Sequence, residues 1–392
     1  MTKLQVIIIF FTIFFSLYFA ANYYVFIRGW QALPDIIILR KIYIFLFILF
    51  TFSFVIGRFS GHTLPISINH LFIWIGSFWL GAMLYLFLIV LSTDIIRLIN
   101  IGFHFLPHQE SFAYARIKVI SLTISVGLTL IILLLGYINA NDTHVKHYEI
   151  VTEKNILNKE NFKIAVVTDI HLGTLIAKNR LKKLTALVNN QCPDLIILAG
   201  DILDEVQAPI LAEDIGEPLK YLKAPMGTYA ITGNHEYIGG INSAVKYIES
   251  LGIKLLRDTV VQLDNNLILI GREDRDMERF TGKHRKTKEE LIKGIDNSKF
   301  LVLLDHQPYD LKKTAELNID LQISGHTHHG QIWPFNYITD AMYELSCGYL
   351  NKGNTHYYVS SGYGTWGPPV RIGTVSEIAV ITIKRSHKAT EL

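Results

Sequence analysis

Eight side chains in the second half of the chain, Asp169, His171, Asp201, Asn234, His235, His306, His326 and His328, share one chemistry and a regular spacing. Asp169 and His171 stand one residue apart, as do His326 and His328. Asp201 follows Gly200, Asn234 and His235 follow Gly233 with Glu236 behind them, His326 follows Gly325, and His306 stands alone. Carboxylate oxygen, amide oxygen and neutral imidazole suit divalent first-row metals, with manganese, iron and zinc all acceptable. The set is too large for one ion and about right for two that share a carboxylate. An Asp-x-His or His-x-His pair in a curling loop presents two ligands to one metal. Taken singly, each position is ordinary, because a lone histidine is usually a surface or core residue and Gly-Asp is common. His284, His329 and His356 have no comparable frame, and the run 283–288 reads as a solvated loop and helix start. Order and spacing carry the inference.

Such groups must be brought together by the elements between them. From Phe162 onward, short apolar runs alternate with amphipathic stretches. The pattern predicts strands at 162–167, 194–198, 227–232, near Leu255, and at 260–263, 267–270, 300–304, 321–324, 357–360 and 377–383. Helices are predicted over 178–190, 211–222, 243–251 and 288–295. This alternation argues an α/β domain with substantial parallel pairing. The polar groups fall where strands end: Asp169 and His171 after the first, Asp201 after the second, Asn234 and His235 after the third. His306 and the pair His326 and His328 follow two later strands. The carboxyl ends of strands are where open α/β sheets form sites, so five loops converge on one rim. A glycine before a ligand, as at Gly200, Gly233 and Gly325, lets the backbone turn sharply off its strand.

The first half is of another kind. A membrane-crossing helix needs about 20 predominantly apolar residues, and the sequence offers four such stretches, at about 4–26, 36–57, 71–91 and 119–138. The second reaches full length only across Arg40 and Lys41, basic side chains that can snorkel from a helix end. The first exceeds the apolar core of a signal peptide and has no small-residue cleavage site after it. Residues 1–140 therefore read as a four-helix transmembrane anchor, 141–160 as a linker, 161–385 as the α/β domain and 386–392 as a tail. Arg28, Arg40 and Lys41 occupy the first connection and Arg97, Arg116 and Lys118 the third, whereas the second holds only Arg58. By the positive-inside rule the first and third face the cytoplasm, which puts the α/β domain outside it. The clean spans carry no ionisable residue, so this half reads as a multi-pass anchor in the cell membrane rather than a pump.

Bulk properties exclude several classes. A net charge of +3 over 392 residues, with no dense basic tract, gives nucleic-acid binding no electrostatic support. Two cysteines, Cys192 and Cys347, are too few and too far apart for a zinc ribbon or a disulfide framework. Cys192, among apolar neighbours, is expected to be a buried free thiol. Nothing in the sequence points to a protein partner.

The ordered blocks Asp169-Ile-His171, Gly200-Asp201, Gly233-Asn234-His235-Glu236, His306 and Gly325-His326-Thr327-His328 resemble the signature of the calcineurin-like metallophosphoesterase superfamily. The resemblance covers roughly residues 160 to 385 and leaves the apolar half outside it. It implies a four-layer αββα sandwich, two sheets face to face with helices outside. It also implies one metal held by Asp169, His171, Asp201 and His328, and a second held by Asp201, Asn234, His306 and His326. His235 would be the catalytic group that meets the phosphate or the leaving oxygen. The implied reaction is metal-dependent hydrolysis of a phosphate ester, a phosphodiester or a pyrophosphate. A domain tethered beside a bilayer favours a lipid phosphate or cell-envelope intermediate as substrate. A metal-binding receptor or scaffold without turnover is the alternative. Ser324–Gln331 resembles the form in bacterial membrane-associated members, which usually carry glycine where this chain has His329. The loop 361–371 resembles the same branch, and Arg371 stands there as a phosphate contact or a structural salt bridge.

Overall fold

The computed structural model describes residues 3–60, 63–154, 156 and 159–386. The chain divides into two compact units, Met1–Tyr137 with Gly367–Pro369, and Ile138–Trp366 with Val370–Leu392.

The first unit is built from four helices, α1 (Lys3–Ala32), α2 (Ile37–Phe59), α3 (Ile66–Phe103) and α4 (Phe112–Asn141). Of these, α2, α3 and α4 are long and apolar enough to cross a membrane. The span expected at 4–26 falls within α1, and several of its first side chains lie outside the described residues. The helix α3 runs well past the apolar stretch 71–91, because backbone hydrogen bonding continues through Asp94 and Arg97 to a left-handed cap at His104, φ 51°. Small residues let α2 and α3 approach closely. A Cβ on Gly76 would overlap the backbone of Phe54. A buried polar knot joins three helices: Asn22 Oδ1 accepts from Thr51 Oγ1 at 3.0 Å and from Trp79 Nε1 at 2.9 Å.

The second unit holds two six-stranded sheets. The first has the order β1 (Thr143–Thr152), β12 (Ser376–Arg385), β2 (Asn161–Val167), β3 (Leu195–Ala199), β4 (Thr228–Ile231), β5 (Lys254–Leu255). Its strands β2 to β5 are parallel, β12 runs antiparallel to β2, and β1 is parallel to β12. The second has the order β10 (Gly348–Lys352), β11 (Thr355–Val359), β9 (Leu321–Ser324), β8 (Phe300–Leu304), β7 (Leu267–Gly271), β6 (Thr259–Asp264). There β7, β8, β9 and β11 are parallel, with an antiparallel hairpin at each edge. Successive side chains on a strand point to opposite faces, so one strand serves two cores. Ile164 and Val166 of β2 pack with Leu269, Val302 and Ile323 of the other sheet. Ala165 and Val167 instead pack with Leu181, Leu184 and Val188 of α5 (Lys178–Asn189). Ile268, Ile270, Leu301 and Leu303 turn the outer face of the second sheet toward Leu291 and Ile319.

Several expectations change. The segment 141–160, read as a linker, contains β1, whose ten residues pair in register with Ser376–Arg385. Only Ile150 of this edge strand is buried, and its polar residues hide it from an apolar search. The helix expected over 211–222 is broken into Gln207–Ala212 and a 3-10 turn Glu217–Tyr221, because Asp214 takes φ 46° and Pro218 follows. The helix begun at Lys288 stops at Ile292. Cys192 is exposed rather than buried, since the chain leaves α5 through a turn in which it adopts φ 48°. Both cysteines are free. Of the tail expected at 386–392, all but Ser386 lies outside the described residues.

Candidate metal centre

The residues that end β2, β3, β4, β8 and β9 meet at one place. Asp169, His171, Asp201, His326 and His328 all adopt left-handed backbone, φ 46° to 71°. For a residue with a Cβ this conformation costs on the order of 1–3 kcal/mol and is characteristic of functional loops. Gly200 precedes Asp201 with φ 91°, and a Cβ there would strike the His306 ring. Gly233 and Gly325 are required for another reason, close approach, since a Cβ would overlap Asp201 Oδ1 and Asp169 Oδ2 respectively.

Two groups of ligand atoms match the expected pair of sites, Asp169, His171 and His328 in one and Asp201, His306 and His326 in the other; a third, His171, Asp204 and His235, overlaps the first, and within each the atoms lie within 4.8 Å of one another. Asp201 lies between them: its Oδ2 is 3.2 Å from His306 Nε2, 3.9 Å from His171 Nε2 and 4.0 Å from His235 Nε2. Asn234 joins the second group through Oδ1, 2.9 Å from His326 Nδ1. All eight residues expected from the sequence are thus brought together.

The donor set fits divalent cations on three counts. His306 Nδ1 lies 2.8 Å from the Ala199 carbonyl, which can only accept, so Nδ1 carries the proton and the Nε2 lone pair faces the cluster. That Nε2 is buried and faces Asp201 Oδ2 at 3.2 Å. A hydrogen bond of this kind from the far ring nitrogen orients a metal-binding histidine. Second, His171 Nε2 and His328 Nε2 face each other at 2.9 Å. Burial pushes His171 and His326 down to about 3 and lowers His328 as well, which leaves neutral imidazoles with free lone pairs. Third, the centre demands positive charge. Burial works against protonated His306, yet the Asp201 and Asp169 carboxylates outweigh it and raise the imidazole well above its usual value. Burial also pushes Asp169 up to about 6.

His235 belongs to neither of the two expected groups but packs on one of them, its ring centroid 4.4 Å from that of His171. Its Nδ1 faces carboxylates, Asp204 Oδ1 at 3.3 Å and Glu205 Oε1 at 3.6 Å, while Nε2 points toward Asp201. Burial opposes its charge, but Asp201 and Asp204 prevail and raise its pKa. Glu236 is fully buried and holds the loops in place, its carboxylate accepting from the backbone N–H of Asp201, Leu203 and Gly233 at 3.2, 2.8 and 2.7 Å.

Other residues only become visible in three dimensions. Asp204 and Glu205 back His235, and their position three and four residues after Asp201 is the signal that could have found them. Arg275 is exposed and stacks on Tyr309, its guanidinium carbon 4.1 Å from the ring centroid. Tyr309 packs on Tyr343 at 5.0 Å, and Tyr343 meets His326 edge-on at 6.3 Å. The polar run Arg272-Glu273-Asp274-Arg275 directly after β7 has the same strand-end placement as the ligands. Among the described residues Arg371 makes no salt bridge, and its partners are mainly backbone carbonyls. It is fully buried, and its Nη2 lies 2.7, 3.0 and 2.7 Å from the carbonyls of Ser361, Gly362 and Gly364. The same Nη2 also lies 3.3 Å from His328 Nδ1. His329 is tied to Ser346 Oγ at 2.6 Å, which in turn donates to Asp340 at 2.6 Å.

Comparison with known proteins gives the family. A family model described as Calcineurin-like phosphoesterase matches residues 162–330. An uncharacterized metallophosphoesterase of Aquifex aeolicus is 31% identical over 259 residues, which cover 65% of this chain and 98% of that protein. One of Helicobacter pylori is 31% identical over 299 residues, 74% of this chain and 78% of its own. The transmembrane protein with metallophosphoesterase domain of Danio rerio is 29% identical over 272 residues, 66% of this chain and 62% of its own length.

Proposed function

Since the chain belongs to the calcineurin-like phosphoesterase family of metal-dependent phosphoric ester hydrolases, we propose that it is a membrane-anchored enzyme with two divalent cations that cleaves a phosphodiester or pyrophosphate. The observation that carries the reading is the position of Asp201, whose Oδ2 lies within 4.0 Å of Nε2 atoms from both ligand groups. Asp169, His171, Asp201 and His328 hold one cation, and Asp201, Asn234, His306 and His326 the other. Bound there, two cations supply charge to polarise a phosphoryl group and to make water nucleophilic.

The chain's own residues do the rest. Asp204 and Glu205 face the His235 ring at Nδ1, and Asp201 and Asp204 raise its pKa against burial. Its Nε2–H is thereby turned toward the centre, where it donates to the oxygen that leaves. Arg275, steadied by Tyr309, offers a planar guanidinium to a second anionic group of the substrate. Tethering beside a bilayer favours a lipid phosphate or cell-envelope intermediate, with four membrane helices, α1 included, and the catalytic unit outside the cytoplasm.

The test is metal analysis of the detergent-purified full chain together with turnover on phosphomonoesters, phosphodiesters and lipid pyrophosphates. Two metal equivalents with hydrolysis of a diester or pyrophosphate are expected. Full metal occupancy without turnover on any of them would instead mark a metal-binding receptor.

A further inference from the structure

The helices of the first unit do not close on one another along their whole length. Where α2 and α3 cross, Gly57 and Gly76 allow backbone contact. By contrast α4 touches α3 near its two ends. Arg97 Nε donates to the Tyr114 hydroxyl at 2.9 Å, and the Trp74 and Phe78 rings lie 6.5 and 5.7 Å from Tyr137. Among these helices lies a cavity of about 950 Å³, at the upper end of the roughly 300–1,000 Å³ typical of ligand pockets.

Its walls restrict what can fill it. Phe47, Trp79 and Leu86 line it from α2 and α3, and Ser121, Ser125 and Thr129 from α4. Small residues on a membrane helix ordinarily mark the face that packs on a neighbour. Here they line the cavity, with Ser125 and Thr129 each only 2% exposed. The Ser125 hydroxyl donates back to the Ser121 carbonyl at 2.7 Å. Thr129, 2% exposed, has no partner for its hydroxyl. The cavity is therefore apolar, with one unsatisfied donor in its wall.

One end of the cavity is basic. Arg28, Arg97 and Lys118 line it together with Asp94. The single carboxylate is shared by Arg28 at 2.7 Å and Arg97 at 3.3 Å, and also accepts from the Tyr24 hydroxyl at 2.6 Å. Arg28 Nε is buried without a hydrogen-bond partner. One acid against three bases leaves a positive mouth at the end of the unit where the first and third connections lie. A zwitterionic lipid would bring its own cation to that mouth, and a neutral lipid would leave the bases uncompensated.

We propose that this cavity is a binding site for an anionic phospholipid, with its acyl chains against the apolar walls and its phosphate at Arg28, Arg97 and Lys118. The proposal does not depend on the catalytic reading, because it concerns the helical unit alone. The experiment is native mass spectrometry of the full chain released from nanodiscs of phosphatidylcholine containing a minor fraction of phosphatidylglycerol. The wild-type chain is expected to retain phosphatidylglycerol in preference to its share of the disc. Lys118→Gln, a change at a side chain with no ion pair among the described residues and only the Tyr114 ring beside it, should lower that retention about fivefold, since a basic residue at the membrane surface contributes about 1 kcal/mol toward an anionic lipid. Arg97→Gln should lower it further, and Thr129→Trp or the milder Ser125→Leu, which fill the cavity, should remove it. Retention that mirrors the disc composition, or that persists at wild-type level in a folded cavity-filled variant, overturns the proposal.

Discussion

His235 and Asp201 lie 4.0 Å apart, yet their loss should have different consequences. Asp201 is the carboxylate between the two ligand groups, so Asp201→Asn should abolish metal binding and turnover together. His235 touches no ligand group through Nδ1, which is committed to Asp204 and Glu205. His235→Ala should therefore leave metal content unchanged and lower kcat by roughly 10²–10⁴-fold, the usual scale of general acid catalysis. Full activity of that variant on a chromogenic phosphodiester would remove the assignment. In the reading proposed above, Arg275 belongs to substrate binding rather than to the chemical step. A charge-assisted hydrogen bond is worth about 1.5–3 kcal/mol, so Arg275→Ala should raise KM about 10- to 100-fold on a substrate with a second anionic group. Kinetics with a substrate lacking that group should show little change, and an equal loss on both would place Arg275 in a structural role.

At the scale of elements, the loops need anchors as well as ligands. Asp305 ends β8 directly before His306, and it is buried between Arg272 and Arg285, each at 2.9 Å. Burial would raise its carboxyl, but Arg285 and Arg272 outweigh it and hold it below the usual carboxylate range. A folded-state pKa below the unfolded one stabilises the fold above the unfolded pKa of about 4, and that stability is lost as pH falls through the depressed value. Asp305→Asn should thus destabilise the chain by about 3–5 kcal/mol at neutral pH, the cost of breaking a buried ion pair. The gap to wild type should shrink in denaturation series taken toward pH 3, and a gap constant with pH would contradict the ion-pair account. The strand β1 makes a separate prediction. Ile150, fully buried, is its one core side chain, and Ile150→Ala should cost about 2–5 kcal/mol, read as a lowered denaturation midpoint. An unchanged midpoint would mean that β1 is dispensable. This strand also shows why parts of the fold are illegible in sequence. The ligand loops are legible because each interrupts a run of residues buried on both faces, such as Leu195–Ala199 before Asp201. An edge strand such as β1, half solvated and rich in His, Lys and Glu, has no such contrast. Asp204 and Arg275 escape notice for a different reason: their partners, His235 and Tyr309, are 31 and 34 residues away, and no local pattern encodes those contacts.

For the whole molecule, the open question of sidedness can be answered with a residue that the sequence misplaces. The catalytic unit follows the C-terminal end of α4, while Arg97 near the end of α3 and Arg116 and Lys118 in the first two turns of α4 flank the connection at its N-terminal end. If α4 crosses the bilayer, the positive-inside rule puts that connection in the cytoplasm and the catalytic unit outside, whether or not α1 also crosses. This makes the expectation less dependent on the total number of spans. Cys192 provides the probe. Its thiol is free and exposed in the turn after α5, whereas Cys347 is half-buried and burial pushes its thiol up to about 12, which keeps it unreactive near neutral pH. A membrane-impermeant maleimide added to intact spheroplasts should label the wild-type chain at Cys192, and Cys192→Ser should lose the label. Labelling that appears only after lysis would place the catalytic unit in the cytoplasm. For the lipid-linked substrate proposed above, it would then also change the leaflet served from the outer to the inner one, since a tethered active site can reach only the lipid surface on its own side.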